Sequence, residues 1–205
     1  MNHLAALLGL APGARVLILG AADLDLEAAL MAAIEVPVTR SAAGIEVEAG
    51  AFDLVALGRD AAGTPSLRRA LLIAAAHAVK PSGLVAVEFP NRTPFLSPLL
   101  LAYEGLTERN PAAGGLSLDA ARALCRSTGL GRQTSFLSLP SLADPKVVLP
   151  LDSPPAAAFH FRPPFFVETF RRRCLRRCLG LLAASGSLPS LSPTFAILAT
   201  RDVTA

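Results

Sequence analysis

The sequence predicts an α/β fold, with a mostly parallel sheet covered by helices on both faces. Three observations predict it. Strand-like and helix-like segments alternate along the 205 residues. The strand-like segments are near-continuous apolar runs: VLIL, FDLVAL, LVAVEF and FAILAT. A strand with one wet face alternates apolar and polar residues, whereas one apolar throughout is buried on both faces. The third observation is the stretch Ala14 to Leu30. Here Arg15 to Leu19 reads as a strand, Gly20-Ala21-Ala22 as a tight turn, and Asp23 as the cap of a helix with Leu26, Ala29 and Leu30 on one face. Nucleotide-binding α/β domains use such a small-residue turn to set phosphate or ribose against a helix N-terminus.

Composition narrows the function classes. Hydrophobic residues make up 52% and charged residues 17% of the chain, which excludes a disordered polypeptide. The length suits one domain, residues 1–205, with a sizeable core. No uncharged apolar window reaches about 18 residues, so no transmembrane helix is expected. The opening MNHLAALLGLAPGA lacks the basic start of a signal peptide and reads as a short helix ended by Gly9 and Pro12. Cys125, Cys174 and Cys178 are an odd, sparse set, which points to a reducing, cytoplasmic setting without a disulfide framework. Cys174 and Cys178 stand i,i+4 on a helix but lack a second ligand pair, so two small buried hydrophobes are the plainer reading and no metal is expected. The net charge of +3 is concentrated in Arg171-Arg172-Arg173 and Arg176-Arg177, which is not the footprint of a nucleic-acid binder.

The remaining elements follow in order. Glu35 to Thr39 reads as a short strand, Arg40 to Gly50 as a loop with a weak strand at Ile45 to Glu48, and Phe52 to Leu57 as a buried strand ended by Gly58. Pro65 opens a helix running to about Val79, where its missing N–H costs nothing. Leu67, Leu71, Ala74, Ala75 and Ala78 form its inner face, and Arg68 and Arg69 point outward. Lys80 to Gly83 reads as a turn and Leu84 to Phe89 as a buried strand. Residues 93–116 read as loop. Ser117 caps a helix that Gly129 ends, and Gln133 to Leu139 reads as a strand. Residues 140–165 hold seven prolines and read as irregular cover. A helix from about Phe166 to Ala184 and a strand from Phe195 to Thr200 close the chain.

This order of elements resembles the class I S-adenosylmethionine-dependent methyltransferases. The resemblance rests on APGARVLILG, on the Phe52-Asp53 strand start, on the turn Lys80-Pro81-Ser82-Gly83, on Pro90-Asn91-Arg92, on the helix LSLDAARALCRSTG, and on PTFAILATR at the end. It covers roughly residues 2–139 and 193–201, with 140–192 as a Pro/Phe-rich insertion carrying a basic helix. It implies a three-layer, Rossmann-like sandwich whose last strand is antiparallel. It further implies S-adenosylmethionine over Gly20, Ala21, Ala22 and Asp23, with Arg40 and Gly58 at neighbouring strand ends. The sequence departs from the family at the residues that grip that cofactor. Aligned on Gly20, Ile18 replaces the acid of the glycine-rich motif, and Ala22 and Leu24 replace two glycines. The second strand ends in Thr39-Arg40-Ser41, where the family places an acid on the ribose hydroxyls. Glu46 and Glu48 are the next candidates for that acid.

Other candidate residues each have a bland reading beside the functional one. Arg40 suits a phosphate or carboxylate, or is a solvated surface arginine. Asn91 and Arg92 sit at the C-terminal edge of the sheet, where α/β ligands bind, or form a polar turn. Tyr103, Glu104 and Glu108 lie in the segment that would close over that edge, and either glutamate is a candidate base. His160, among Phe159, Phe161, Phe165 and Phe166, is a candidate base or packs under the Pro-rich cover. In the last helix Phe166, Phe170, Cys174, Cys178 and Leu181 share a stripe, with Arg172, Arg173, Arg176 and Arg177 largely elsewhere. Such a helix packs on the sheet, or meets an acidic partner or an anionic membrane. Residues 140–192 are also the expected route to a protein partner or a homo-oligomer. The function expected is that of a methyltransferase-like protein with a degenerate S-adenosylmethionine site, acting as a non-catalytic or atypical accessory subunit in a biosynthetic pathway. The alternative is an active methyltransferase acting on a small molecule or peptide, with substrate near Asn91, Arg92 and Tyr103.

Overall fold

A computed structural model describes residues 8–11, 13–20, 24–31, 39–41, 47–57, 63–92, 97–104, 115–143, 145–163, 169–190 and 193–202. The elements are β1 (Val16–Leu19), α1 (Leu24–Met31), β2 (Thr39–Ser41), β3 (Phe52–Leu57), α2 (Pro65–Ala78), β4 (Val79–Pro90), α3 (Ser97–Glu104), α4 (Leu118–Ser127), β5 (Leu130–Pro140), β6 (Pro145–Pro150), α5 (Pro154–Phe159), α6 (Phe170–Ala184) and β7 (Thr194–Arg201), with a 3₁₀ turn at Leu188–Ser190. The strands form one seven-stranded sheet in the order β2-β1-β3-β4-β7-β5-β6. The pairs β1/β2, β1/β3 and β3/β4 are parallel, and β7 is antiparallel to both of its neighbours, β4 and β5. The mostly parallel sheet and the antiparallel last strand agree with the sequence reading.

Alternation along the strands sorts the core. Leu17, Leu19, Val55, Leu57, Val85 and Val87 pack with Leu71, Leu72 and Ala75 of α2 and Ala121 and Cys125 of α4. The opposite residues, Val16, Ile18, Leu54, Ala56 and Ala86, pack with Leu26 and Leu30 of α1. A third cluster joins Leu137 and Leu139 of β5 to Leu100 of α3, Phe161, and Leu179 and Ala183 of α6. Helix α4 begins and ends as its sequence indicates: the Ser117 hydroxyl accepts from the Ala120 N–H, and Gly129 has φ of +85°. A polar tie holds α4 to β5, since Arg122 Nε donates to Ser135 Oγ at 3.0 Å and the same guanidinium pairs with Asp152.

Several expectations need correction. Lys80 to Gly83 is not a turn: α2 runs directly into an extended β4 whose pairing with β3 jumps from Phe52↔Val79 to Leu54↔Leu84. The irregularity absorbs those residues, and Lys80 reaches back to Asp53 at 2.7 Å. Residues 93–116 contain helix α3, which tolerates Pro98 in its first turn and buries Leu100. Residues 140–165 are not irregular cover, because they supply β6 and α5. The prolines at both ends of β6 are tolerated because it is the sheet's outermost strand. The insertion therefore widens the sheet.

Arg68 points inward, only 2% exposed, and its guanidinium donates to the Gly63 carbonyl at 3.3 Å. Burial lowers its pKa from the ordinary arginine value. Val47 and Glu48 are not in a strand, and β2 is observed at Thr39–Ser41. Ile45, Glu46 and residues 35–38 lie outside the described residues, as does the cap at Asp23. Helix α6 starts at Phe170, capped by the Thr169 hydroxyl on the Arg172 N–H; residues 164–168 before it are outside the described set.

Candidate functional site

In a doubly wound sheet, ligands bind beyond the C-terminal strand ends where the chain switches direction across the sheet. The strand order puts that switch between β1 and β3, because the chain leaves β1 for β2 and returns to β3 on the other side. Gly20 ends β1 there with φ of +100°, a conformation a side chain disfavours. Of the other residues expected at this edge, Ala21, Ala22, Asp23 and Gly58 lie outside the described residues. Arg40 is paired with Ile18, and Ser41 with Leu19, so Arg40 and Ser41 hold the strand-end position beside β1.

Among the described residues the fit to S-adenosylmethionine is incomplete. The backbone turn at Gly20 suits close approach, while β2 contains no carboxylate to accept the two ribose hydroxyls. Glu48 does not supply one. It pairs with Arg15 at 3.1 Å, at the start of β1, about 16 Å of extended chain from Gly20. Asp53 lies at that same N-terminal edge. The Lys80 ammonium and the Arg15 N–H both donate to its carboxylate and hold its pKa below the ordinary carboxylate value. Glu48 and Asp53 thus serve the structural edge of the sheet.

At the end of β4, Asn91 is buried and its side-chain amide donates to the Pro189 carbonyl in the turn before β7. Its backbone N–H donates to the Pro193 carbonyl at 2.8 Å. The Arg92 N–H donates to the Leu116 carbonyl at 3.1 Å, while its side chain is exposed. Asn91 is thus a structural clasp between β4 and the segment leading to β7. Sequence reasoning missed Glu88, the lone acid in the apolar run LVAVEF. Its carboxylate accepts the Leu142 N–H at 3.1 Å and ties β4 to the chain after β5.

Four of the candidate residues do come together. The Arg172 guanidinium lies over the Tyr103 ring at 5.4 Å, and Tyr103 tilts against Phe161 at 5.7 Å. His160 stands edge-on to Phe161 at 5.0 Å, and its Nε2 bonds Glu104 Oε1 at 2.8 Å. His160 is therefore a partly exposed partner of a carboxylate, not a core residue. A cleft of about 410 Å³ opens between α3 and α6, lined by Tyr103, Glu104, Thr169, Arg171, Arg172 and Leu175. The other arginines separate. Arg176 is buried, 6% exposed, with a 3.1 Å bond to the Phe161 carbonyl. Arg173 and Arg177 are exposed. Cys174 and Cys178 are exposed too, against the expectation that they are buried hydrophobes. The reason is that α6 presents Leu179 and Ala183 to the core instead. Among the described residues no group of three or more ligating side chains could hold a metal ion, and no helix is long and apolar enough to cross a membrane.

No protein-family model matches the chain, and no curated protein matches its sequence. Solved structures do match its fold. One is an S-adenosylmethionine-dependent methyltransferase from Archaeoglobus fulgidus, with a TM-score of 0.54 and 13% identity over 98% of this chain and 92% of that one. Another is a TehB-like S-adenosylmethionine-dependent methyltransferase from Corynebacterium glutamicum, at 0.52 and 12% over 98% and 86%. A third, from Thermotoga maritima and described as a possible histamine N-methyltransferase, aligns at 0.50 and 14% over 98% and 88%. With its sheet order, its Gly20 turn and these likenesses together, the chain has the fold of the class I S-adenosylmethionine-dependent methyltransferases.

Proposed function

We propose that this is a methyltransferase-fold protein that has lost productive use of S-adenosylmethionine and acts as a non-catalytic accessory subunit in a biosynthetic pathway. The observation that carries the reading is β2, Thr39-Arg40-Ser41, whose residues beside Ile18 and Leu19 are a cation and a hydroxyl. A ribose diol is recognised by a group that accepts two hydrogen bonds, and a guanidinium has donors only. The Asn91 amide adds support, since it is engaged with Pro189 rather than free for a substrate.

Thermal unfolding with millimolar S-adenosylmethionine or S-adenosylhomocysteine tests the proposal. A ligand at about 100 times its Kd stabilises by about 2.7 kcal/mol, a Tm shift of roughly 5–10 °C in a chain of this size. No shift is expected, and a clear shift overturns the loss of the ribose-binding group on which the proposal rests. One observation favours the alternative of an active methyltransferase on a small molecule or peptide: Gly20 keeps its φ of +100° at the end of β1. If the shift appears, Gly20→Val should abolish it. Catalysis would then rest on aligning the methyl group with its acceptor rather than on an acid–base pair.

A further inference from the structure

From the face that helix α6 turns to solvent, we infer that the protein docks on an anionic lipid surface. On a helix with about 100° per residue, Phe170, Leu181, Cys174 and Cys178 fall within about 80° of arc. This arc is the outer one. Phe170 is 80% and Leu181 74% exposed, both cysteines are exposed, and the core contacts of α6 come from Leu179 and Ala183 on the far side. Arg171 flanks the strip on one side and Arg177 and Arg173 on the other, and all three are exposed. Among the described residues none of the three forms an ion pair, whereas Arg15, Lys80 and Arg122 each have a carboxylate partner. On the neighbouring helix α5, Phe159 is likewise 61% exposed, with Arg162 over its ring at 4.4 Å.

The chemistry selects the occupant. An apolar strip this exposed and rimmed by cations is matched by a surface that is apolar below and anionic at its rim. An anionic bilayer interface is such a surface, taking Phe and Leu below the headgroups while arginine stems reach up to phosphate. A second copy of the chain is disfavoured. Neither α5 nor α6 contains an aspartate or glutamate, so two such faces would set arginines against arginines. An acidic protein would need carboxylates placed against each arginine, whereas lipid phosphates are mobile and need no matched positions. Docking through α6 is independent of the cofactor edge. A chain that bound S-adenosylmethionine would carry the same face, so the thermal test above and the test below fail separately.

The test is co-sedimentation of the full chain with two vesicle preparations, phosphatidylcholine alone and equimolar phosphatidylcholine with phosphatidylglycerol. Binding to the anionic vesicles alone is expected, weakening as salt is raised. Phe170→Ser with Leu181→Ser should abolish it. The triple reversal Arg171→Glu, Arg173→Glu, Arg177→Glu should lower partitioning by at least about tenfold. A matched reversal elsewhere, Arg69→Glu, Arg126→Glu, Arg132→Glu, should lower it far less. All these side chains are exposed, and unaltered melting of each variant shows that loss of binding is not loss of fold. Failure to bind anionic vesicles overturns the inference, as does equal binding to both preparations or equal loss in the two triple reversals. Capture of an acidic helical peptide without vesicle binding overturns it in favour of a protein partner.

Discussion

Helix α4 turns Leu118, Ala121 and Cys125 onto the sheet, and its Arg122 finds Asp152 and the Ser135 hydroxyl. Helix α6 turns Leu179 and Ala183 inward together with Arg176, and leaves Phe170, Cys174, Cys178 and Leu181 in solvent. Both helices are capped by a hydroxyl, Ser117 and Thr169, and both are amphipathic. They differ in how many apolar arcs they carry. Helix α4 has one, so packing has a single solution. Helix α6 has two on opposite sides, and its surroundings chose the one holding Leu179. Hydrophobic periodicity locates an apolar face and leaves open whether it is the buried one.

The cysteines give the largest contrast. Burial pushes the Cys125 thiol up to about 12 from 9.0, while Cys174 and Cys178 are exposed. Each unit of pKa removes about tenfold of the reactive thiolate near neutral pH. In the native protein the exposed Cys174 and Cys178 should therefore react with a thiol reagent far faster than the buried Cys125, which should wait for unfolding. Peptide mapping after timed quenching measures this. Protection of Cys174 and Cys178 would mean that α6 is rotated from the orientation described.

Stability should show the same asymmetry two residues apart. Leu179 is fully buried, so Leu179→Ala should cost about 2–5 kcal/mol by lost transfer energy and a cavity. Leu181 is 74% exposed, so Leu181→Ala should stay within about 0.5 kcal/mol. Urea titration of both variants is the check, and similar costs would erase the distinction between the two arcs. Arg176→Ala should fall between, at about 1–3 kcal/mol, because it strips a donor from the buried Phe161 carbonyl.

Much of the fold is legible in the sequence for physical reasons that differ by element. The strands around Val16–Leu19, Phe52–Leu57 and Phe195–Thr200 are near-continuous apolar runs, and a doubly covered strand is what buries such a run. The ends of α4 are legible because Ser117 and Gly129 have local roles. Helix α3 and strand β6 were obscured by Pro98, Pro145 and Pro150, since proline marks breaks in general yet is tolerated in a first helical turn and on a sheet edge. The candidate site was legible in part. Gly20 and the absence of an acid from Thr39-Arg40-Ser41 could be read directly, but the Arg172–Tyr103 and His160–Glu104 contacts join residues more than fifty positions apart and have no local signature. Glu48 was a reasonable acid by sequence distance, and the topology sent it to the opposite edge of the sheet.

The smallest expected effect sharpens the comparison by removing what the two helices share. Ser117→Ala and Thr169→Ala each delete a side-chain acceptor for a first-turn N–H, and each should cost about 1 kcal/mol. In a chain of this size that lowers Tm by about 2–4 °C. The consequences should nevertheless diverge. Fraying α4 would loosen Leu118 and Ala121 from the main core, so labelling of Cys125 should accelerate along with global opening. Fraying the first turn of α6 releases Phe170 and Arg171, which are already in solvent, so labelling of Cys174 should change little. Vesicle binding gives the sharper readout, since a lipid surface needs Phe170 and Arg171 held in helical register with Leu181. Thr169→Ala should weaken it while Ser117→Ala leaves it intact. Equal effects on binding from the two cap deletions would mean that the outer face of α6 acts through global stability and not as a surface in its own right.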